Sequence, residues 1–168
     1  MKVTSAQANK MLKQLNEEKA FWSGKELEGR FYIVSTGEEP IIPEYDYEKV
    51  RDKIQEIDEK VISLKHALNI SNLTDTITFS GKTMTIDMAL IRMAQLSNRK
   101  SFLDTMRKHP EKKRILDHYR TTPHSEYEHI NYDISVVEED YAKVDEELSS
   151  LQIALDNHNH TVMMDVDI

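Results

Sequence analysis

Histidine and carboxylate side chains gather near the C-terminus of this 168-residue chain. His158 and His160 follow Asp156 closely, and Asp165 and Asp167 come a few residues later. Imidazole and carboxylate groups together suit a divalent transition metal. Histidines two residues apart fit a strand or a frayed helix end, because metal-binding pairs on a helix face are three or four residues apart. A solvated helix end explains the same residues more simply, so this is a weak candidate for a metal site.

A second polar cluster consists of His124, Glu126, Glu128 and His129. In a strand, alternation would place His124, Glu126 and Glu128 on one face, where they could bind a metal or exchange protons. A tyrosine-rich sheet with polar residues facing outward explains the pattern equally well. The sequence leaves both interpretations open.

The segment Ser80-Gly81-Lys82-Thr83 ends like a phosphate-binding loop. The complete loop needs a second glycine five residues before Gly81, so that backbone N–H groups can surround the phosphates. Thr76 occupies that position, and no apolar strand of the parallel type precedes it. We therefore predict a β-hairpin here and no nucleotide or other cofactor.

Several chemistries are absent from the sequence. The chain has no cysteine, which removes disulfides, thiolate zinc sites and cysteine nucleophiles and suits a reducing compartment. No serine lies in a Gly-x-Ser-x-Gly context, although a triad of residues distant in sequence stays open. Residues 1–16 lack an apolar core of signal-peptide length, and no segment has the roughly 20 apolar residues of a membrane helix. We expect a cytoplasmic protein that does not enter a membrane.

The charge distribution bears on nucleic-acid binding. The net charge is −8, which disfavours general contact with phosphates. Residues 92–120 nevertheless contain nine Lys/Arg and three acids, a net of +6, which leaves −14 for the remainder. The acid-rich residues 138–167 can neutralise this stretch within the protein, and we expect that pairing.

The elements that must position these groups are mainly helical, because apolar residues recur with helical spacing and glycine and proline number only four each. Two predicted helices, helix two and helix four, carry apolar residues alternately three and four apart, which is the spacing of a coiled-coil seam. The seam of helix two is Tyr47, Val50, Ile54, Ile57, Val61, Leu64 and Leu68, and that of helix four is Val137, Tyr141, Val144, Leu148, Leu151 and Leu155.

Shorter elements are expected between the seams. Helix one covers about residues 4–22, with an apolar face interrupted by Lys19. It is followed by a short strand at 30–35 and a rigid, proline-containing linker at 37–43. A hairpin over 76–85 turns at Ser80-Gly81, and helix three then runs from an N-cap at Thr85 to about Lys108.

The remaining predicted elements lie in the last third of the chain. Two strands at about 114–122 and 125–132 could pair across Thr122-Pro123. Ser135 and Glu138 have the spacing of a capping box at the start of helix four, and the last eight residues form a short strand.

We therefore predict a mainly α protein: one domain over residues 1–168, built as an antiparallel helical bundle with coiled-coil-like helices and small β-hairpins. Helices two and four should meet each other or copies in another subunit. The apolar faces of helices one and three then favour a homo-oligomer, with a monomeric four-helix bundle as the rival.

Segments along nearly the whole chain, among them 84–87, 94–97 and 131–134, carry a pattern that resembles a group of uncharacterised small proteins from Gram-positive bacteria. It is also similar to the septicolysin-like family, which shares paired asparagines (Asn69 and Asn72), a Gly-x-Thr before a helix (Gly81 and Thr83) and a late Leu-Asp…Asn ending. In that family a tryptophan follows the last asparagine, Asn159, where this chain has His160. The resemblance implies a helical bundle of bacterial origin and supplies no activity, catalytic residue or cofactor. The segments that carry the first resemblance are 44–47, 65–67, 69, 84–87, 94–97, 99–100, 126–127, 131–134, 140–141, 151–152, 154–156 and 159.

No enzymatic activity can be assigned from these residues. The leading hypothesis is a structural or interaction protein whose seams drive self-association or hold a helix of a protein partner. One alternative is a small metal-dependent enzyme using the histidine and carboxylate clusters. The other is an accessory protein that contacts nucleic acid through residues 92–120.

Overall fold

The computed structural model describes residues 1–115 and 125–168, and 65% of these residues are helical. This confirms the predicted mainly α fold with small antiparallel hairpins. None of the helices in these two ranges is long and apolar enough to cross a membrane. The helices are α1 (Ser5–Gly29), α2 (Tyr47–Thr74), α3 (Ile86–Arg107) and α4 (Ile134–Thr161). The strands are β1 (Lys2–Thr4), β2 (Thr76–Phe79), β3 (Lys82–Thr85), β4 (Lys112–Arg114), β5 (Tyr127–His129) and β6 (Met163–Asp165).

The described strands form three separate antiparallel pairs, β1 with β6, β2 with β3, and β4 with β5. The chain divides into two compact units. The first unit contains residues 1–75 and 156–168, and the second contains residues 76–155.

In the first unit, α1 and α2 pack along each other in antiparallel directions. Ala8 and Leu12, near the start of α1, share a core with Leu64 and Ala67, near the end of α2. Helix α1 begins with a capping box, in which the Thr4 side chain accepts from the Gln7 N–H while the Gln7 side chain accepts from the Thr4 N–H. The β1–β6 pair closes this core by adding Val3 and Val166.

In the second unit, the β2–β3 hairpin covers a core shared by α3 and α4. Ser80 and Gly81 both have positive φ, as the tight turn between two antiparallel strands requires, so the predicted hairpin turn is confirmed. The buried residues of this core are Ile77, Phe79, Ile86, Ala89, Leu96, Leu148, Leu151 and Leu155.

Two expectations for the region after helix one were wrong. Helix α1 continues past Gly24 to Gly29, and the predicted strand at 30–35 is irregular and pairs with none of the described strands. The physical reason is that alternation and β-branched residues favour an extended conformation but do not provide a partner strand. Pro40 and Pro43 follow closely and restrict the adjacent backbone, so the chain cannot fold back to pair with itself.

Two predicted caps also differ. The start of α4 is capped by Asp133, whose side chain accepts from the Ser135 N–H, and the expected pairing of Ser135 with Glu138 is not used. Thr85 occupies the N-cap of α3, but its hydroxyl donates to the Asp87 carboxylate and makes no capping bond to the backbone.

The hairpin at the end of the second unit is shorter than expected. β4 and β5 pair in a register that places Lys113 opposite Glu128. The predicted turn at Thr122-Pro123, and most of the strand predicted over 114–122, lie outside the described residues.

Candidate interaction surfaces

The histidine cluster near the C-terminus is divided by burial. His158 is 5% exposed, and its Nε2 lies 3.2 Å from Oδ2 of Asp75, at the end of α2. The Ser71 hydroxyl donates to the same carboxylate oxygen over 2.6 Å. His160 is exposed, with its Nδ1 2.8 Å from the carbonyl oxygen of Asp156 in its own helix. The two histidines therefore do not converge on one site.

Ser71, Asp75 and His158 form a chain of contacts, but their order is not that of a nucleophilic triad. The serine hydroxyl donates to the aspartate, and the histidine contacts the aspartate and not the serine. Nδ1 of His158 is buried and has no hydrogen-bond partner. The chain of contacts joins the end of α2 to the last turns of α4 within the first unit.

The second polar cluster is not assembled as a site either. Glu128 lies on β5 and pairs with His109, with Oε1 3.0 Å from Nε2. Glu126 and His129 are exposed on the same hairpin, and His124 lies outside the described residues. Over residues 1–115 and 125–168, no group of three histidine or acidic side chains could hold a metal ion.

Both predicted seams contribute to a core, each with a partner helix in its own unit. In α2 the most buried seam residues are Val50, Ile57 and Leu64, with Leu64 in the core shared with α1. In α4 they are Val137 and the three late leucines, which pack with α3. The partner helices are thus α1 and α3. Of the other seam residues, Tyr47 is exposed and five are half-buried. The five are Ile54, Val61, Leu68, Tyr141 and Val144.

Ionic contacts connect the paired helices. Lys19, which interrupts the apolar face of α1, lies 2.5 Å from a carboxylate oxygen of Asp58 in α2. In the second unit, Arg92 pairs with Glu147 at 2.7 Å and Lys100 with Asp145 at 2.5 Å. The expected neutralisation of the basic stretch by acids of α4 is confirmed at these two positions. These cations are committed to the fold and are poorly placed to contact phosphates.

A groove of about 490 Å³ in the second unit is occupied by paired charges. Arg107 lies over the Tyr141 ring at 4.0 Å and also contacts Asp104. Hydrogen bonds from Lys108 and Arg107 lower the pKa of the Asp104 carboxyl. A hydrogen bond to Asp145 raises the pKa of Lys100. The groove offers no uncompensated charge to select a ligand.

A cavity of about 570 Å³ lies where the β4–β5 hairpin meets the start of α4. Its lining mixes both signs of charge, with Lys112 and His129 beside Glu111 and Asp133. Asp133 already caps the helix, and the mixed signs of charge in the rest of the lining do not define a ligand.

The most unusual surface lies between α1 and α2, in the segment of residues 30–46, which we call the connector. Ile33 is 96% exposed and Ile41 is 91% exposed, values that apolar side chains of this size rarely reach in a folded chain. Phe31, Tyr32 and Val34 are also exposed, as is Ile42. Six large apolar side chains on one short segment constitute an exposed patch, and such patches mark contact sites.

The base of the connector is held in a defined conformation. A Cβ atom placed on Gly29 would lie 2.5 Å from the Cβ of Tyr45, so the chain entering the connector touches the chain leaving it. Burial, reinforced by the carboxylate of Glu26, raises the pKa of the Tyr45 hydroxyl. Asp46 then caps α2 by accepting from the Lys49 N–H over 3.1 Å. The exposed residues are therefore presented from an anchored loop.

Acidic side chains flank the connector. Residues 25–48 contain seven acids and two bases, a net charge of −5. Arg30 lies over the Phe31 ring at 5.2 Å, and Lys25 lies between the rings of Phe21 and Trp22. Both bases thus cover aromatic rings, and the carboxylates dominate the surroundings of the apolar patch.

These features describe a mainly helical protein whose histidine and carboxylate clusters do not form a metal site in the described part of the chain. No family model matches the sequence, and no curated protein matches it. A solved structure described as a functionally unknown conserved protein from Corynebacterium diphtheriae has a similar fold, with a TM-score of 0.63 and 12% identity. The similarity covers 98% of this chain and 100% of that one. The resemblance to septicolysin-like proteins stays a prediction.

Sequence reasoning named the seams as the contact surface and missed the connector. The signal was present, since four consecutive apolar residues precede a segment containing two prolines and one glycine. A run of strand character without a complementary run nearby is a candidate for pairing with another molecule.

Proposed function

We propose that this chain is a cytoplasmic interaction protein, without catalytic activity of its own, that self-associates through the exposed apolar residues of the connector. The carrying observation is the exposure of Phe31, Ile33 and Ile41 on an anchored loop. Transfer of such side chains from water into an interface is favourable by about 25 cal/mol per Å².

In this proposal the seams are not the self-association surface, which is the role that the sequence predicted for them. Their most buried residues stabilise the two units. We therefore assign self-association to another surface. The connector provides one without breaking any core contact. The metal-dependent alternative has less support, because its histidine and carboxylate side chains do not converge in the described residues. The nucleic-acid alternative retains the exposed cations of β4, whereas Arg92 and Lys100 of the same basic stretch are paired with acids of α4.

The test is the solution mass of the full chain, measured by light scattering coupled to size exclusion over a range of concentrations. We expect a mass above the monomer value of 19.6 kDa at high concentration. Ile33→Asp places a charge in the apolar patch and should shift the mass to that of a monomer.

The matched control is Ile62→Asp, which changes another exposed isoleucine on α2, outside the connector. It should associate like the wild type. A wild-type chain that stays monomeric at every concentration would overturn the proposal, as would equal effects of the two substitutions.

A further inference from the structure

We propose that the connector of one copy pairs, as an added strand, with the open edge of β4 in a second copy. This inference rests on the proposed self-association and names the surface that receives the connector. Such strand addition combines backbone hydrogen bonds with contacts of alternate side chains.

The connector is suited to donate a strand. Phe31, Tyr32, Ile33 and Val34 are residue types enriched in strands. This run is irregular, and within the described residues these four form no backbone–backbone hydrogen bond. The flanking hydrogen bonds end at Arg30 and begin again at Ser35. The N–H and C=O groups of the run are therefore available to another chain.

Strand β4 is suited to receive it. Its sheet contains only β4 and β5, so one edge of β4 is not paired with any described strand. All three residues of β4, Lys112, Lys113 and Arg114, are exposed. Ile115 follows directly, and Tyr127 lies opposite Arg114, and both offer exposed apolar surface beside the cations.

Charge selects β4 among the open strand edges of the described chain. The connector has four acids and one base, a net charge of −3, so two connectors would repel each other. Strands β1 and β3 contain one lysine each, β2 contains no charge, and β5 and β6 contain one acid each. Strand β4 has three consecutive cations, and it is the edge that complements Glu38 and Glu39 of the connector.

The available area is adequate for a specific contact. The six exposed apolar side chains of the connector present on the order of 700 Å², close to the share of about 800 Å² that each partner contributes to a standard interface. Because the two surfaces differ, the contact is heterologous. An open assembly then always has one unused connector at one end and one unused β4 edge at the other. We therefore expect a ring or an open chain of copies.

The experiment uses two full-length variants, each with one surface disabled. Ile33→Asp disables the connector, and Lys112→Glu with Lys113→Glu disables the β4 edge. Each variant alone should be monomeric, with self-association weakened at least about tenfold. Mixed in equal amounts, the two should form a dimer, because one supplies an intact connector and the other an intact edge.

Far-ultraviolet circular dichroism would detect a variant that loses its fold. In that case a charge exchange within one chain still tests the contact. Glu38→Lys and Glu39→Lys combined with Lys112→Glu and Lys113→Glu should restore the association that either pair of changes removes. Association of the β4 variant by itself, with loss in the Ile33→Asp variant, would overturn this inference while leaving the proposed function intact. A monomeric wild-type chain would overturn both.

Discussion

Helix α1 contains two glycines, and only one of them needs to lack a side chain for packing. Gly24 lies within the helix, and apart from its chain neighbours and the backbone of its own helix no described atom lies within 4 Å of the position of a Cβ. Gly29 ends the helix against Tyr45, where a Cβ would be only 2.5 Å from the tyrosine Cβ. The first glycine costs helix stability without a packing reason, and the second allows the connector to close on itself.

We expect opposite effects from the same substitution at these positions. Gly24→Ala should raise the free energy of unfolding by about 0.5–1 kcal/mol, because alanine reduces the entropy lost on helix formation. Gly29→Ala should lower it by about 1–3 kcal/mol through overpacking against Tyr45. Urea denaturation of the two variants checks this, and each serves as the other's control. Similar effects of the same sign would contradict the contact between Gly29 and Tyr45.

Glu56 provides a residue-scale prediction about pH. Hydrogen bonds from Lys53 and Lys60, at 2.8 and 2.7 Å, lower the pKa of its carboxyl to about 2. A depressed folded-state pKa means that the stabilisation is present above the ordinary glutamate pKa of 4.5 and is lost as the pH falls through about 2. Because the carboxylate is exposed, we expect a shifted titration of Glu56 and only a small change in the free energy of unfolding.

The titration can be followed by NMR of the Glu56 side chain. Lys53→Met combined with Lys60→Met should raise the pKa of Glu56 toward its ordinary value. Lys65→Met, on the same helix but outside these contacts, should leave it near 2. A carboxyl that titrates near 4.5 in the wild-type chain would mean that the two lysines do not hold it in solution.

At the scale of the element, helix α2 separates its faces sharply. Leu64 is 0% exposed in the core shared with α1, whereas Ile62, two residues earlier, is 67% exposed. The difference follows from the helical period, because residues two positions apart are rotated by about 200° around the helix axis and so lie on opposite faces. Hydrophobicity alone cannot distinguish these residues, but their positions in the heptad pattern can.

Leu64→Asp should therefore lower the free energy of unfolding by about 3–5 kcal/mol, because it leaves an unpaired charge in the core. Ile62→Asp should change it by no more than about 0.5 kcal/mol, as expected at an exposed site. Thermal denaturation of both variants provides the measurement. An unchanged melting temperature for Leu64→Asp would show that the α1–α2 contact does not form in solution.

The elements also show what the sequence could and could not specify. Periodicity identified all four helices, because each helix buries one face. A buried face requires apolar residues, such as Ile57 and Leu151, to recur three or four positions apart. It did not identify the partners of the seams, since a seam fixes only the width and spacing of the surface it needs. The long extension of α1 past Gly24 was missed because one glycine lowers helix propensity by only about 1 kcal/mol.

For the candidate sites, the sequence showed which groups exist and could not show their distances. His158 and His160 are two residues apart, but one is buried against Asp75 and the other accompanies Asp156 at the surface. Asp75 is 83 positions earlier in the chain, so its contact with His158 has no local signal. The connector was visible as an apolar run, but its lack of a partner strand is a property of the whole fold.

At the scale of the whole molecule, the two ends of the chain meet within the first unit. Strand β6 pairs with β1, placing Val3 opposite Met164, and the Val166 N–H donates to the Met1 carbonyl over 2.8 Å. Val3 and Val166 are both buried in the core that α1 shares with α2. The last residues therefore complete a core whose other members come from the first half of the chain.

Removing apolar contacts from this closing segment should thus weaken α1 and α2, which are distant from it in sequence. Val166→Ala should lower the free energy of unfolding by about 1.5–3 kcal/mol, the transfer of two buried methyl groups plus the cavity they leave. Val162→Ala is the matched control, because Val162 is exposed just before β6 and makes no contribution to the core clusters. Chemical denaturation gives the size of the effect, and amide hydrogen exchange gives its location. Faster exchange in α1 and α2 for Val166→Ala, with the control unchanged, is the expected result. Equal losses in the two variants, or exchange that rises only in the last residues, would mean that β6 lies on the first unit without stabilising it.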